Sequence, residues 1–442
     1  MQPDNPPADW RRWAAALAGI YFVLVFPVLF LAHGMTDEAG DQQSYHEPFI
    51  VQLAADWPHV DLVNTHGLAM TPGYYLLMAA IKHYFSASIL ELRVVTALLG
   101  LPLILVVFRF CCQWTTAVTA FVLCLPFLLS SFVLGSSMWL RSDNVWLALV
   151  ALALGTTAVH PASPARIFGL GIVTMLAISV RQICIWLLAP LALSSFLELF
   201  YARLSGSSAS DPPGPRRSAG LILAMLFAVA APMAVLWYFY RLWGGLLPPQ
   251  VAQAHPVGNG FKIVPVILAL TGFLGLFFAP AAWDGPLKNL LKDWRVWAAS
   301  ALALLVAVVP RTAGHQDPSG MLVELQKTPV AFDRILGLLP FAALAGGVVM
   351  ILFLAAVRAG RTRAACFVLL GFASWSAAMT ANVYVLRRHC EPFILLTLIW
   401  LTALGLPSGN NRKRFWIGMS ALVAVQLVML VVKIYRPAFF PH

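Results

Sequence analysis

Uncharged apolar runs of about 20 residues, the length that carries a helix across the hydrocarbon core of a bilayer, recur from one end of this 442-residue chain to the other. A water-soluble core cannot bury so many. In lipid every backbone N–H and C=O must be satisfied internally, which leaves helices or closed barrels, and continuous runs without two-residue alternation read as helices. The expected fold is all-α, a polytopic helical membrane protein. Thirteen spans are predicted, near residues 12–33, 93–110, 115–134, 144–160, 166–181, 184–200, 219–240, 262–281, 295–310, 335–357, 364–385, 391–407 and 415–433. Only 11% of the residues are charged, against about 25% in a soluble domain, so a soluble globular enzyme and a disordered chain are both excluded. The 15 Trp and 10 Tyr suit two aromatic interface belts.

The basic residues orient these spans. With the N-terminus in the cytoplasm, Arg11, Arg12, Arg109, Arg166, the arginines of loops 203–217 and 358–363, and Arg412, Lys413 and Arg414 all fall inside, as the positive-inside rule asks. Short basic loops against anionic headgroups account for the net charge of +11, and no nucleic-acid partner is expected. Residues 12–33 are long enough to span and have no small-residue cleavage site, so they read as an uncleaved signal anchor. The six cysteines (Cys111, Cys112, Cys124, Cys184, Cys366 and Cys390) show no zinc-ligand spacing and read as small apolar packing residues. The chain is expected to form one integral membrane domain over 1–442, with a flexible cytoplasmic loop at 203–218 and a long outer loop at 34–92.

That outer loop departs in composition from everything around it. It holds Asp37, Glu38, Asp41, Glu47, Asp56, Asp61 and Glu91, with His46, His59, His66 and His83, and a loop this long between membrane helices is usually functional. Residues 45–54 have the periodicity of a helix lying in the interface. Residues 71–81 are apolar but too short to cross, with Thr71 as the expected cap and Pro72 in the first helical turn.

Three groups of ionisable residues fall at outer helix ends on this topology, and an ionisable group near membrane depth is costly enough to need a reason. They are Asp37, Glu38 and Asp41; Arg141 with Asp143; and Arg181-Gln182 with the distant Arg387 and Arg388. Carboxylates beside arginines suit transfer of a group from a phosphate-activated lipid: a carboxylate takes the proton of an attacking hydroxyl, and arginines bind the leaving phosphate. Each has a plainer reading as a solvated loop charge, a helix-capping ion pair or a snorkelling side chain. The histidines have no ligand spacing for a metal site, although the outer acids offer oxygen ligands of the kind Mg²⁺ or Mn²⁺ takes. No phosphate-binding glycine loop, Gly-x-Ser-x-Gly or His-Glu-x-x-His occurs. A flippase or secondary transporter is the rival class; it needs charges at mid-span, whereas most here lie near span ends.

The run Gln42-Gln43-Ser44-Tyr45-His46-Glu47-Pro48, then Asp56-Trp57-Pro58, then Met70-Thr71-Pro72-Gly73-Tyr74-Tyr75-Leu76 resembles the first luminal loop of the dolichyl-phosphate-glucose-dependent alpha-1,2-glucosyltransferases. That family reads Asp-Glu-x-Phe-His-x-Pro, a Trp-Asp-Pro element and Thr-x-Pro-Gly-x-Tyr. Val180-Arg181-Gln182-Ile183-Cys184-Ile185-Trp186 is similar to its Phe-Arg-Gln-Thr-Asn-Ile-Ile-Trp. The matches cover about 50 residues, in order and on one predicted face. One departure stands out: the acid four residues before the family's histidine aligns with Gln42, and the nearest acid is Asp41. The resemblance implies a GT-C fold, a catalytic acid on the first outer loop and a polyprenyl-phosphate sugar donor used with inversion, a hexose with glucose favoured. It implies Asp41, Glu38 or Asp37 as the base, Arg181 with Arg387 or Arg388 on the donor phosphate, and Tyr45, His46, Tyr74, Gln182, Arg141 and Asp143 around the substrate. The acceptor is a hydroxyl on a glycan, lipid-linked glycan or protein. A bacterial plasma membrane is the favoured location, with the endoplasmic reticulum the alternative, and the site faces away from the cytoplasm.

Overall fold

The computed structural model describes residues 9–34, 36–64, 69–201, 215–254, 260–281, 289, 292–312, 322–381, 390–406 and 412–440. Among the described residues, helix runs through most of each of the thirteen expected segments. The elements that matter below are α1 (Trp10–Leu31), α2 (Asp37–Asp41), α3 (Glu47–Ala55), α4 (Gly73–Phe85), α5 (Ile89–Trp114), α6 (Ala117–Leu128), α7 (Ser131–Met138), α8 (Asp143–Val159), α9 (Pro164–Val180), α10 (Leu188–Phe196), α11 (Pro215–Trp243), α12 (Ile263–Phe278), α13 (Trp294–Val308), α14 (Leu338–Arg358), α15 (Thr362–Met379), α16 (Glu391–Gly405) and α17 (Arg412–Leu430). Eight helices among the described residues are long and apolar enough to cross a membrane, which makes the chain an integral, multi-pass helical membrane protein. α8, α9, α13 and α16 are shorter, at 15 to 17 residues. The span expected at 115–134 is broken at Leu129–Ser130, where α6 and α7 meet at a bend of 71°; hydropathy measures depth and carries no information on direction.

The described chain forms two compact units. The first comprises residues up to Gly19, Phe108–Val133 and Val257–Lys433. Its centre is α16, in which every residue is buried, as expected of a helix apolar on all sides. Small residues let the neighbouring helices approach: a Cβ on Gly272 of α12 would sit 1.9 Å from the Phe341 carbonyl of α14, and one on Gly405 would sit 2.7 Å from Ala355, the usual device where lipid supplies no hydrophobic drive.

The second unit comprises Ile20–Val107, Leu134–Pro256 and Ile434–His442. α9 packs on α11 through Gly171 against Ala228, and α4 rests on the end of α9 through Gly73 against the Ser179 carbonyl. Two expectations change. Residues 215–218 of the expected tether begin α11, because Pro215 has the fixed φ that suits a first helical turn; residues 202–214 lie outside the described set. Thr71 does not cap α4, whose N-cap is Pro72. Its hydroxyl instead donates to the Ile178 carbonyl at 2.5 Å, a partner 107 residues along the chain that local spacing cannot reveal.

Candidate active site

The second unit assembles a chain of alternating charges from three separated stretches of sequence. α2 starts on Thr36, whose hydroxyl accepts from the Ala39 N–H, and ends at Asp41. The backbone then makes one π-helical turn over Gln42–His46, closed by the Glu47 N–H donating to the Gln42 carbonyl. Such a turn takes up one extra residue relative to an α-helix. Five residues in an α-helix rotate a side chain about 140° past its starting face; across the π turn His46 returns close to the face of Asp41.

The second stretch is the connection between α7 and α8. Gln42, buried, accepts from the Leu140 N–H at 3.1 Å and donates to Glu47 Oε2 at 3.1 Å. From α5, Arg93 Nε donates to the Met138 carbonyl at 2.9 Å and lays its guanidinium 4.0 Å from the Trp139 ring centre. Residues 138–140 are thereby pinned from two sides, and Arg141 follows them. Its Nη1 lies 4.0 Å from Asp41 Oδ2 and its Nε 3.1 Å from Asp143 Oδ2. Asp143 sits in the first turn of α8, where the helix dipole favours a carboxylate.

Arg181 completes the chain. It stands just past α9 in extended conformation, with Nη1 2.9 Å from Asp143 Oδ1 and its guanidinium 5.5 Å from the Trp146 ring centre. Gln182 beside it ties in the start of α4: its Oε1 accepts from the Thr71 N–H at 3.0 Å and its Nε2 donates to the Ala69 and Leu246 carbonyls. Asp41, Arg141, Asp143 and Arg181 thus form one ion-pair chain, with side-chain exposures of 27%, 4%, 14% and 11%. Burial works against the charge on Arg141, and Asp143, Glu38 and Asp41 together outweigh it and hold its guanidinium above the ordinary value. Burial pushes the Glu38 carboxyl up, and Arg141 pulls it back in part.

The other sequence candidates divide. His46 is buried, with Nδ1 2.8 Å from the Tyr75 hydroxyl and its ring stacked on Tyr75. Glu38 is half-buried and Asp37 exposed. Tyr45 is half exposed, and Tyr74 is fully buried with its hydroxyl 2.6 Å from Thr96 Oγ1, so it is Tyr75 that meets His46. Arg387 and Arg388 lie outside the described residues. Among the described residues no group of three or more His, Cys, Asp or Glu is placed to hold a metal ion. Sequence reasoning missed Arg93, Tyr75 and the anchoring role of Gln42. The one signal for Gln42 was its position, where the resembled family carries its acid.

Neither a family model nor a curated protein matches the chain. Among solved structures it is similar to ArnT from Cupriavidus metallidurans in the apo state, at 16% identity over 95% of this chain and 78% of that one, with a TM-score of 0.38. A second structure of that protein, bound to undecaprenyl phosphate, has a TM-score of 0.40 at 16% identity, over 96% of this chain and 78% of that one. It is also similar to the archaeal oligosaccharyltransferase AglB from Archaeoglobus fulgidus, in complex with an inhibitory peptide and a dolichol-phosphate, at 14% identity over 98% of this chain and a TM-score of 0.44. The chain spans 56% of the AglB length.

Proposed function

We propose that this chain is an inverting glycosyltransferase of the GT-C type, moving a hexose, with glucose favoured, from a polyprenyl-phosphate sugar to an acceptor hydroxyl on the extracytoplasmic side of the membrane. The observation that carries the reading is the Asp41–Arg141–Asp143–Arg181 chain, whose members come from the very segments that bear the motif resemblance and its neighbouring loop. Asp41 is the general base. It is the most exposed of the four, so an acceptor hydroxyl can reach it. The acceptor oxygen attacks the anomeric carbon, its proton passes to Asp41, and the bond to the lipid phosphate breaks with its electron pair on the phosphate. Arg181, with Arg141 behind it, offsets the charge that builds there; a share for Arg387 or Arg388 belongs to the same proposal. His46 and Gln182 shape the walls through Tyr75 and Thr71.

The test uses membranes containing the protein and radiolabelled polyprenyl-phosphate glucose or mannose. Label passing to an acceptor, and lost in Asp41→Asn, is the expected result. Label that crosses the bilayer still attached to its lipid, equally in both proteins, would assign the chain to the transporters.

A further inference from the structure

We propose that Asp143 is a resident counter-ion that keeps the two arginines from retaining the spent lipid phosphate, so that it governs product release. This rests on the reading above and deepens it.

Asp143 is engaged by guanidinium groups from two different segments, Arg181 at Oδ1 (2.9 Å) and Arg141 at Oδ2 (3.1 Å). Ser136 Oγ donates to Oδ2 at 3.4 Å. A guanidinium carries five N–H donors, and one carboxylate oxygen beside each arginine offsets part of its positive charge. A phosphate arriving here meets a pair half of whose charge Asp143 offsets, with Asp41 a further carboxylate 4.0 Å from Arg141. Asp143 also opens α8, the end of a helix that suits a carboxylate, and it stands between its two arginine partners.

Transfer changes the charge of the lipid group. The donor phosphate is a diester with one negative charge. The bond from the anomeric carbon to the phosphate oxygen breaks, its electron pair stays on that oxygen, the acceptor oxygen bonds to the carbon, and the acceptor proton goes to Asp41. The lipid phosphate leaves as a monoester that carries up to two charges near neutral pH. Two guanidiniums alone would bind that product far more tightly than the donor, and tight product binding slows turnover without helping the chemical step. A carboxylate fixed between them repels the second charge at short range, where one unit charge changes affinity by an order of magnitude or more. Asp143 is in this sense a positioning and selectivity residue; it need not touch the sugar.

The experiment is equilibrium binding of two probes, a short-chain polyprenyl phosphate and its methyl ester, to the full-length protein in nanodiscs at pH 8. The first probe is the dianion of the product and the second a monoanion like the donor. The wild-type protein should bind the two within about threefold of each other. Asp143→Asn should tighten the dianion about tenfold or more while changing the monoanion much less, and Asp143→Glu should restore the wild-type ratio. Unchanged or weakened dianion binding in a folded Asp143→Asn protein overturns the proposal. So does a wild-type preference above tenfold for the dianion, which needs no variant to fold. Failure of the wild-type protein to bind either probe strikes instead at the lipid-phosphate reading of the site, and this inference falls with it.

Discussion

Replacing Gln42 by Glu would restore an acid at the position where the resembled family has one, and the structure says that it should harm the protein. The Gln42 amide is used at both ends: Oε1 accepts from the Leu140 N–H and Nε2 donates to Glu47 Oε2 at 3.1 Å. A carboxylate keeps the first bond and turns the second into a contact between two anionic oxygens. At 3.1 Å and an effective dielectric of about 20, their repulsion is about 5 kcal/mol. Glu47 is only half-buried and can swing toward solvent, which reduces the net destabilisation to about 2 kcal/mol. For a unit of this size that lowers the melting temperature by about 4 to 8 °C. The pH dependence is diagnostic. The carboxyl introduced at 42 titrates near the ordinary Glu value of about 4.3 when unfolded and higher when folded, because both the neighbouring carboxylate and burial favour its protonated form. The folded state then binds the proton more tightly, so the penalty is absent below about pH 4, grows as pH rises through the folded value, and is constant above it. Melting of the detergent-solubilised variant across pH 4 to 8 measures this, with Gln42→Ala as the control that loses the Leu140 bond without adding charge. A Gln42→Glu decrement that is independent of pH and equal to that of Gln42→Ala would refute the argument. So would recovery of transfer when Gln42→Glu is added to Asp41→Asn, since the anchoring role denies position 42 access to the site.

Asp41→Asn should lower transfer by about 10² to 10⁴-fold, the usual worth of a general base, while its long, part-exposed ion pair changes stability by less than about 1 kcal/mol; transfer assay and melting on the same preparation separate the two. Arg181→Lys keeps the charge but loses the Nη1 contact with Asp143 and the guanidinium's place over Trp146, and should cut turnover per donor about 10²-fold, read as initial rates against donor concentration. Gly73→Ala places a methyl carbon 2.5 Å from the Ser179 carbonyl oxygen, a backbone atom that cannot swing aside, so α4 must shift from α9; the expected cost is about 1 to 3 kcal/mol, visible as a lowered melting temperature in which Gly171→Ala, facing Ala228, behaves alike.

The number and order of the helical segments could be read from the sequence because burial in lipid imposes a single simple condition, a long enough run without charge. What hydropathy could not supply was direction and partner. The break at Leu129–Ser130 falls inside an uncharged run marked only by Ser130-Ser131, and its physical correlate, Ser130 donating to the buried Glu391 at 2.8 Å, joins residues 261 positions apart. The site divides on the same line. Asp41, Arg141, Asp143 and Arg181 stood out because a charge beside an apolar run demands an explanation. Tyr75 and Arg93 did not, because a tyrosine in an amphipathic helix and an arginine near a span end each have an ordinary explanation, and only the folded chain shows one hydroxyl on His46 and one guanidinium on Trp139.

The displaced acid is where local and long-range structure explain each other. Read as a plain α-helix, the sequence puts Asp41 on a different face from His46, and the one-residue mismatch with the resembled motif counts against Asp41 as the base. The π turn over Gln42–His46 absorbs that residue. The turn is held at its start by Gln42, whose amide is anchored to Leu140 and Glu47, and at its end by His46 against Tyr75. Single π turns are rare and recur at functional sites. The glutamine at 42 and the aspartate at 41 are therefore one structural solution: the residue that cannot serve as a base secures the turn that brings the adjacent one to Arg141.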